Sequence, residues 1–419
     1  MTTSIRTRFS RMLSTGTLRA FQHRNFRLFT AGQLVSLIGT WAQRLAVGWL
    51  AWDLSHSAFL VGAVSFAGLF PGVLAGPFAG SVADSMNRFR LLKITQVAFL
   101  VQASILAALT MSGYVTVPLL LVLETALAVI TAFDIPARQA FVIEMVGKPD
   151  LANAIAINST TVNIARMVGP AIAGIIIVTV DIGEAFLFNA VTYIAVLMSL
   201  AAMRIQPRIL ERRTQPMVSH VLEGLRYAWR ERGIRTYLLL FFIMALFGMP
   251  YGTLMPVVAE TRFGMGAAGL SWLVAGSGLG ATIGALFLAA RKDTAGLTRR
   301  LFFAAVLFGA SLIVFALISN FYLAVLFIPV CGFGMMMQMA GNNILLQTNV
   351  EEAQRGRIMS LLSMSFQLAM PIGSLWMGTV AEHFGVMTPF LIGGALCLVA
   401  VSILGYLSWR EKGEMRPAG

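Results

Sequence analysis

Charge is what this chain has least of. Asp, Glu, Lys and Arg make up 12% of its 419 residues, against roughly 25% in a soluble domain, and 58% are hydrophobic. A water-soluble fold is excluded by that balance. Cysteine is nearly absent as well. Cys331 and Cys397 both lie inside apolar runs, so a disulfide framework or thiolate metal site has no support, and small core residues are the expected role. The four histidines (His23, His56, His220 and His383) are scattered in loops or near the ends of apolar runs, and no GxxxxGK[ST] loop occurs. Neither a metal cluster, a catalytic constellation nor ATP hydrolysis within the chain is expected. No cofactor is called for, and the chain does not read as an enzyme. Energy, if used, comes from an ion gradient.

Long apolar runs are what the chain does have. A membrane-spanning helix needs about 20 mostly apolar residues. Twelve such runs are expected, at roughly 27–52, 58–83, 90–112, 115–135, 153–180, 184–203, 236–259, 267–290, 299–319, 321–346, 357–381 and 386–408. Their length and continuity fit helices rather than barrel strands. The net charge of +13 is then topological. Of the 31 Lys and Arg, all but Arg44, Arg166 and Arg262 fall in the tails or in alternate connections. That bias puts both termini in the cytoplasm. Basic residues spread over short loops match anionic lipid headgroups, not a nucleic-acid groove, so the lipid bilayer is an expected partner and nucleic acid is not. No cleavable signal peptide is expected, since the first span itself holds Gln33, Gln43 and Arg44.

The one long connection, at about 204–235, divides the spans six and six and holds eight arginines. The reading is an N-terminal bundle over 1–203, a cytoplasmic linker over 204–235 and a C-terminal bundle over 236–419. Within the linker Val218, Val221, Leu222, Leu225 and Trp229 share one helical face, with Glu223, Arg226 and Arg230 opposite, the pattern of a helix lying on the inner surface. The halves also resemble each other. A shift of 204 residues lays Asn163 on Gln367, Gly169 on Gly373 and Gly174 on Gly378, and a shift of 207 lays the 84–93 turn on the 291–300 turn. Parallel six-helix repeats are a transporter plan in which cargo sits near mid-membrane and access alternates. One chain supplies both halves, so a monomer is expected.

Between the second and third runs the chain reads Gly80-Ser81-Val82-Ala83-Asp84-Ser85-Met86-Asn87-Arg88-Phe89-Arg90. Gly80 is expected to let helices approach closely, and Asp84 to pair with the helix start at Arg357 as a cytoplasmic latch. Arg88 is expected to take Asp134, where Pro136 ends the fourth run.

These residues resemble the signature loop of the major facilitator superfamily, with Ser85, Asn87 and Phe89 where basic, glycine and basic residues are usual. The run Arg166-Met167-Val168-Gly169-Pro170, continuing to Gly174, resembles the glycine-proline motif of antiporter members, with Ala165 and Ala173 where glycines are more usual. Further stretches (Asn25-Phe26-Arg27, Trp41-Ala42-Gln43-Arg44, Asp134-Ile135-Pro136-Ala137-Arg138 and Arg355-Gly356-Arg357) are similar to the branch holding the enterobactin exporter and macrolide-efflux proteins. The resemblance implies a bacterial inner-membrane efflux role and two six-helix bundles around a central cavity.

Ionisable residues at membrane depth are costly and default to functional candidates. Arg44 lies about 17 residues into an outward-running helix, Glu124 about 9 into an inward-running one and Arg166 about 13 into another outward one. At 1.5 Å per residue the first two share a depth. Glu124 is expected to couple protons, with burial and Arg44 setting its proton affinity in opposite senses; a permanent ion pair that only fixes packing is the alternative. Asp53, at the outer end of the first span, is a lesser coupling candidate and more an interfacial anchor. Candidate cavity residues are Gln43, Asn163, Tyr251, Gln338, Asn342, Asn343, Gln347 and Gln367, with Met335, Met336, Met337 and Met339 beside them, a lining suited to a bulky amphipathic molecule. The expected function is export of a drug-like or siderophore-like small molecule by proton antiport. Uptake or lipid flipping on the same fold, and a non-transporting scaffold or sensor, are the alternatives.

Overall fold

The computed structural model describes residues 18–205, 217–290 and 296–414. Every regular element among them is helical. After a single turn at Arg19–Gln22 come α1 (Arg24–Ser55), α2 (Ala58–Ala67), α3 (Phe70–Ser85), α4 (Arg88–Met111), α5 (Val117–Thr179), α6 (Ile182–Ala201) and α7 (Met217–Arg230). Then follow α8 (Arg232–Ile243), α9 (Gly266–Ala289), α10 (Leu297–Leu317), α11 (Phe321–Asn349), α12 (Glu352–Phe384) and α13 (Thr388–Glu414). Side-chain caps start several of them. Ser57 Oγ accepts from Leu60 N at 3.2 Å, Asn87 Oδ1 from Arg90 N at 3.0 Å, and Asn320 Oδ1 from Leu323 N at 3.2 Å.

Burial is reversed in the way a lipid solvent demands. Phe78, Phe303 and Leu326 are 73%, 66% and 77% exposed, while Gln43, Gln338 and Asn342 are buried. Ten helices among the described residues are long and apolar enough to cross a membrane, where twelve runs were expected. The difference has two sources. The expected first run lies in α1, which carries Arg24, Arg27, Arg44 and Asp53 and is outside the ten, and the expected fourth and fifth runs share the one 63-residue element α5.

Pro136 does not end that element. Helix continues past it to Gly147, whose φ of +70° is the left-handed backbone that glycine takes without penalty and a side chain resists. After α8 the chain runs on in π and 3-10 turns over 244–254 and again over 258–262. Pro250 cannot donate to the Leu246 carbonyl, nor Pro256 to that of Gly252, so the regular ladder is lost there.

Two compact units emerge: Met1–Val47 with Pro71–Thr214, and Gly48–Phe70 with Gln215–Gly419. The crossover at residue 70 falls where α2 gives way to α3 through Gly68 and Leu69. Inside the second unit α2 crosses α12 at glycine. A Cβ on Gly62 would lie 2.7 Å from the Ser374 carbonyl oxygen, and one on Gly378 would lie 2.6 Å from that of Ala58. Glu382 Oε2 then accepts from Ser57 Oγ and from Phe59 N, both at 3.1 Å, capping the start of α2.

Candidate functional site

In the first unit the site begins with a glycine. A Cβ on Gly169 of α5 would sit 2.6 Å from the Ile38 carbonyl oxygen, 2.6 Å from Trp41 Cβ and 3.0 Å from Ala42 N. With no side chain there, α5 lies against α1. Pro170 and Gly174 are buried in the same stretch. The second unit repeats the device: a Cβ on Gly373 would meet the Leu246 carbonyl and Pro250.

That close approach brings Arg166, one turn before Gly169, over Trp41. Arg166 Cζ lies 4.8 Å from the Trp41 ring centroid. Arg44, three residues after Trp41 and so on the same face of α1, places its Cζ 4.8 Å from the same ring. Two guanidinium groups thus share one indole, an arrangement each ring face favours. Arg44 is exposed and Arg166 half-buried.

Glu124 of α5 is 6% exposed, and its Oε1 has no hydrogen-bond partner. Arg44 is the opposite charge that acts on it, yet among the described residues no ion pair of 4.0 Å or less joins the two. Asp53 is exposed at the end of α1, and Asn163 is half-buried with its Nδ2 donating to the Ser159 carbonyl at 3.0 Å.

Gln43 does not face open space. It is 2% exposed, donating to Gln102 Oε1 at 3.2 Å and accepting from Asn189 Nδ2 at 2.6 Å. This amide chain ties α1, α4 and α6 together. In the second unit Tyr251 (2% exposed) meets Ser277 Oγ at 2.5 Å, and Gln338 donates to the Leu301 carbonyl at 2.7 Å. Asn342, also buried, donates to the Gln338 carbonyl at 3.0 Å. These are packing groups. Asn343 is half-buried, and Gln347, which donates to it at 2.7 Å, is exposed like Gln367.

The charged turn needs two corrections. A Cβ on Gly80 would meet nothing within 4 Å among the described residues, so none of their helices packs closely against it. Arg88 pairs with Glu144 at 2.7 Å, not with Asp134. Asp134 is fully buried and already satisfied: Thr95 Oγ1 and Gln96 Nε2 donate to Oδ1 at 2.8 Å each, and Arg138 holds Oδ2. Because α5 continues past Pro136, Glu144 lies on ordered helix within reach of Arg88. Arg90 is exposed. The Asp84 side chain and residues 291–295 of the second turn lie outside the described residues. Arg357 pairs with Glu223 of α7 at 2.5 Å and donates to Gln354 Oε1 at 2.9 Å.

Trp41 as a platform and Glu144 as a partner were not singled out from sequence; the three-residue spacing of Trp41 and Arg44 was the available signal. A further cluster also went unseen. Asp150 accepts from His23 Nε2 at 2.9 Å and pairs with Arg19 Nε at 2.6 Å, clasping the N-terminal turn. The His23 hydrogen bond, with Arg19 adding and burial opposing, holds the Asp150 carboxyl below the usual carboxylate range.

Comparison with known proteins covers nearly the whole chain. Residues 15–416 match the transmembrane secretion effector family. The staphyloferrin A transporter of Staphylococcus aureus is 28% identical over 382 residues, covering 90% of this chain and 94% of that protein. Macrolide efflux protein A of Streptococcus pyogenes is 23% identical over 389 residues, again 90% and 94%. The multidrug efflux pump Tap of Mycolicibacterium fortuitum is 23% identical, covering 83% and 87%. Among solved structures, the nucleoside transporter NupG superposes with a TM-score of 0.73 at 13% identity, over 91% of this chain and 98% of that one, which is a likeness of fold.

Proposed function

Because this chain belongs to the transmembrane secretion effector family of major facilitator transporters, we propose that it exports an amphipathic small molecule from the cytoplasm by proton antiport and alternating access. Membership makes it a multi-pass bacterial membrane transporter, not an enzyme, and removes the scaffold reading. Efflux stands in the names of two of the relatives above, which supports the outward direction. The proposed plan is twelve spans in two six-helix halves, 1–203 and 236–419, working as a monomer with both termini in the cytoplasm of the cell and the spans in its inner membrane.

One observation carries the coupling: Glu124 is buried with a carboxyl oxygen unsatisfied and its counter-charge, Arg44, out of ion-pair contact. A charged carboxylate in that setting is costly unless paired, so the group is poised to exchange a proton as Arg44 approaches or withdraws. In the proposed cycle Glu124 gives up its proton on the cytoplasmic side and regains one from outside. Asp84 with Arg357 is the proposed latch on the cytoplasmic side. Asn163, Asn343, Gln347 and Gln367 are the proposed cargo-facing amides, and Asp53 an outer anchor.

The test is dye accumulation in inverted membrane vesicles at varied pH. Wild-type protein should accumulate dye in proportion to the proton gradient, and Glu124→Gln should lose the pH dependence. Unaltered pH dependence in Glu124→Gln would sink the coupling role.

A further inference from the structure

We infer that α7 seats one face on the membrane surface and takes anionic phospholipid headgroups there, through Leu225 and Trp229 with Arg226 and Arg230 beside them. For its sidedness alone this rests on the proposed arrangement, with the linker in the cytoplasm.

The helix carries three stripes, each one residue on from the last and so about 100° further round. Gly224 and Ala228 make the buried stripe. A Cβ on Gly224 would lie 3.2 Å from Arg357 Cβ and 3.4 Å from Leu361 Cδ1, so α7 lies close against α12 there. Glu223 fixes the same contact through its ion pair with Arg357 at 2.5 Å, and Tyr227 hydrogen-bonds the backbone of Glu351, the residue before α12. Leu225 and Trp229 make the second stripe and are 47% and 65% exposed. Arg226 and Arg230 make the third, and both are exposed. The helix is thus packed through its small residues, and these two large apolar ones are left uncovered among the described residues. The arginines expected opposite the apolar face border it instead.

Place in the chain says what covers that face. The apolar stretch Gly233–Arg262, long enough to cross a membrane, begins four residues after Trp229. Arg235, two residues into it, lays its Cζ 5.6 Å from the Trp229 ring centroid and donates from Nη1 to the Trp229 carbonyl at 3.4 Å. The indole is therefore held at the mouth of a span, the level at which tryptophan sits among headgroups. Arginines beside it reach from there to lipid phosphates.

Charge selects the lipid. Glu223 is taken up by Arg357, which leaves Arg226, Arg230 and Arg235 against the exposed Glu231 among the described side chains of this segment. An anionic bilayer meets that surplus, and a neutral one does not. A protein partner fits less well, since a stable interface covers roughly 800 Å² on each side and the described apolar stripe is two side chains.

The experiment reads Trp229 in full-length protein reconstituted into phosphatidylcholine vesicles with about one lipid in five phosphatidylglycerol, enough for headgroup charge to act. In one set the phosphatidylglycerol carries bromine high on its acyl chains; in the other an equal amount of the phosphatidylcholine carries it. The Trp229 signal is the difference between wild type and Trp229→Phe. One arginine near a charged surface is worth about a fivefold preference for anionic lipid. Bromine on phosphatidylglycerol should therefore quench Trp229 at least about twofold more than bromine on phosphatidylcholine. Arg226→Gln combined with Arg230→Gln should remove most of that preference, and lysine at both positions should keep it, because a diffuse charged surface does not need the guanidinium fork. Equal quenching by the two lipids in wild type, or an unchanged preference in the double glutamine variant, overturns the inference. Quenching by neither lipid overturns it as well and assigns the face to another segment of the chain or to a protein. Transport is judged separately. Equal quenching with pH dependence lost in Glu124→Gln removes the lipid site and keeps the coupled transporter. An intact phosphatidylglycerol preference with wild-type pH dependence in Glu124→Gln does the reverse.

Discussion

Substituting Gly169 by alanine adds one methyl group where α5 lies against α1. The new Cβ would lie 2.6 Å from a backbone oxygen and 2.6 Å from Trp41 Cβ, whereas ordinary contact begins near 3.4 Å, so α5 must move away from α1 by roughly 0.8 Å. Overpacking of that kind costs about 1–3 kcal/mol. It also carries Arg166, one turn away, off the indole it shares with Arg44. Gly169→Ala should therefore lower stability in detergent, followed by loss of helical signal, and reduce transport beyond what the loss of folded protein explains. Gly80→Ala is the control. Nothing lies within 4 Å of its Cβ, and alanine is the better helix former by up to about 1 kcal/mol, so this variant should be neutral or more stable. A Gly169→Ala protein as stable as wild type, or a Gly80→Ala protein that loses stability, would refute the packing argument.

Further outcomes follow from the ion pairs. Arg88→Ala and Glu144→Ala should be non-additive in stability by about 1 kcal/mol, while Arg88→Ala and Asp134→Ala should add, and a double-mutant cycle distinguishes the two. Asp134→Ala alone should cost about 3–5 kcal/mol, because Arg138 is left without its buried partner, a loss readable by chemical unfolding. Asp150→Asn should release the Arg19–Gln22 turn, seen as faster hydrogen exchange at neutral pH. A carboxyl held low contributes stability that is complete above its unfolded value and lost as pH falls through its folded one. The gap between Asp150→Asn and wild type should therefore close as the pH drops below about 4.

Much of this was legible in the sequence because the governing physics is local. Runs of apolar residues longer than a bilayer leave helix as the way to satisfy the backbone, whereas the glycine expected to mark a close approach, Gly80, has open space beside it among the described residues and the close contacts fall at Gly169, Gly62 and Gly378. Arg44, Glu124 and Arg166 stood out because charge inside such runs is rare. Their pairing was less legible. Arg88 had Asp134 and Glu144 as acids within reach, and the choice turned on helix continuing past Pro136 to Gly147, which propensity alone argues against. Gln43 and Gln338 read as cavity amides because a buried amide and a cargo-facing one share a composition. Only the positions of Gln102, Asn189 and the Leu301 carbonyl separate them. The grouping of Gly48–Phe70 with the second unit depends on contacts between segments about three hundred residues apart, such as Gly62 with Gly378, which no local pattern encodes.

Proton movement across proteoliposomes, recorded with an internal pH dye while a cargo gradient is imposed, tests the role of Glu124 most directly. Wild-type protein should move protons opposite to cargo, and Glu124→Gln should exchange cargo without moving protons. Proton movement in Glu124→Gln equal to wild type would contradict the assignment of this carboxyl as the coupling group.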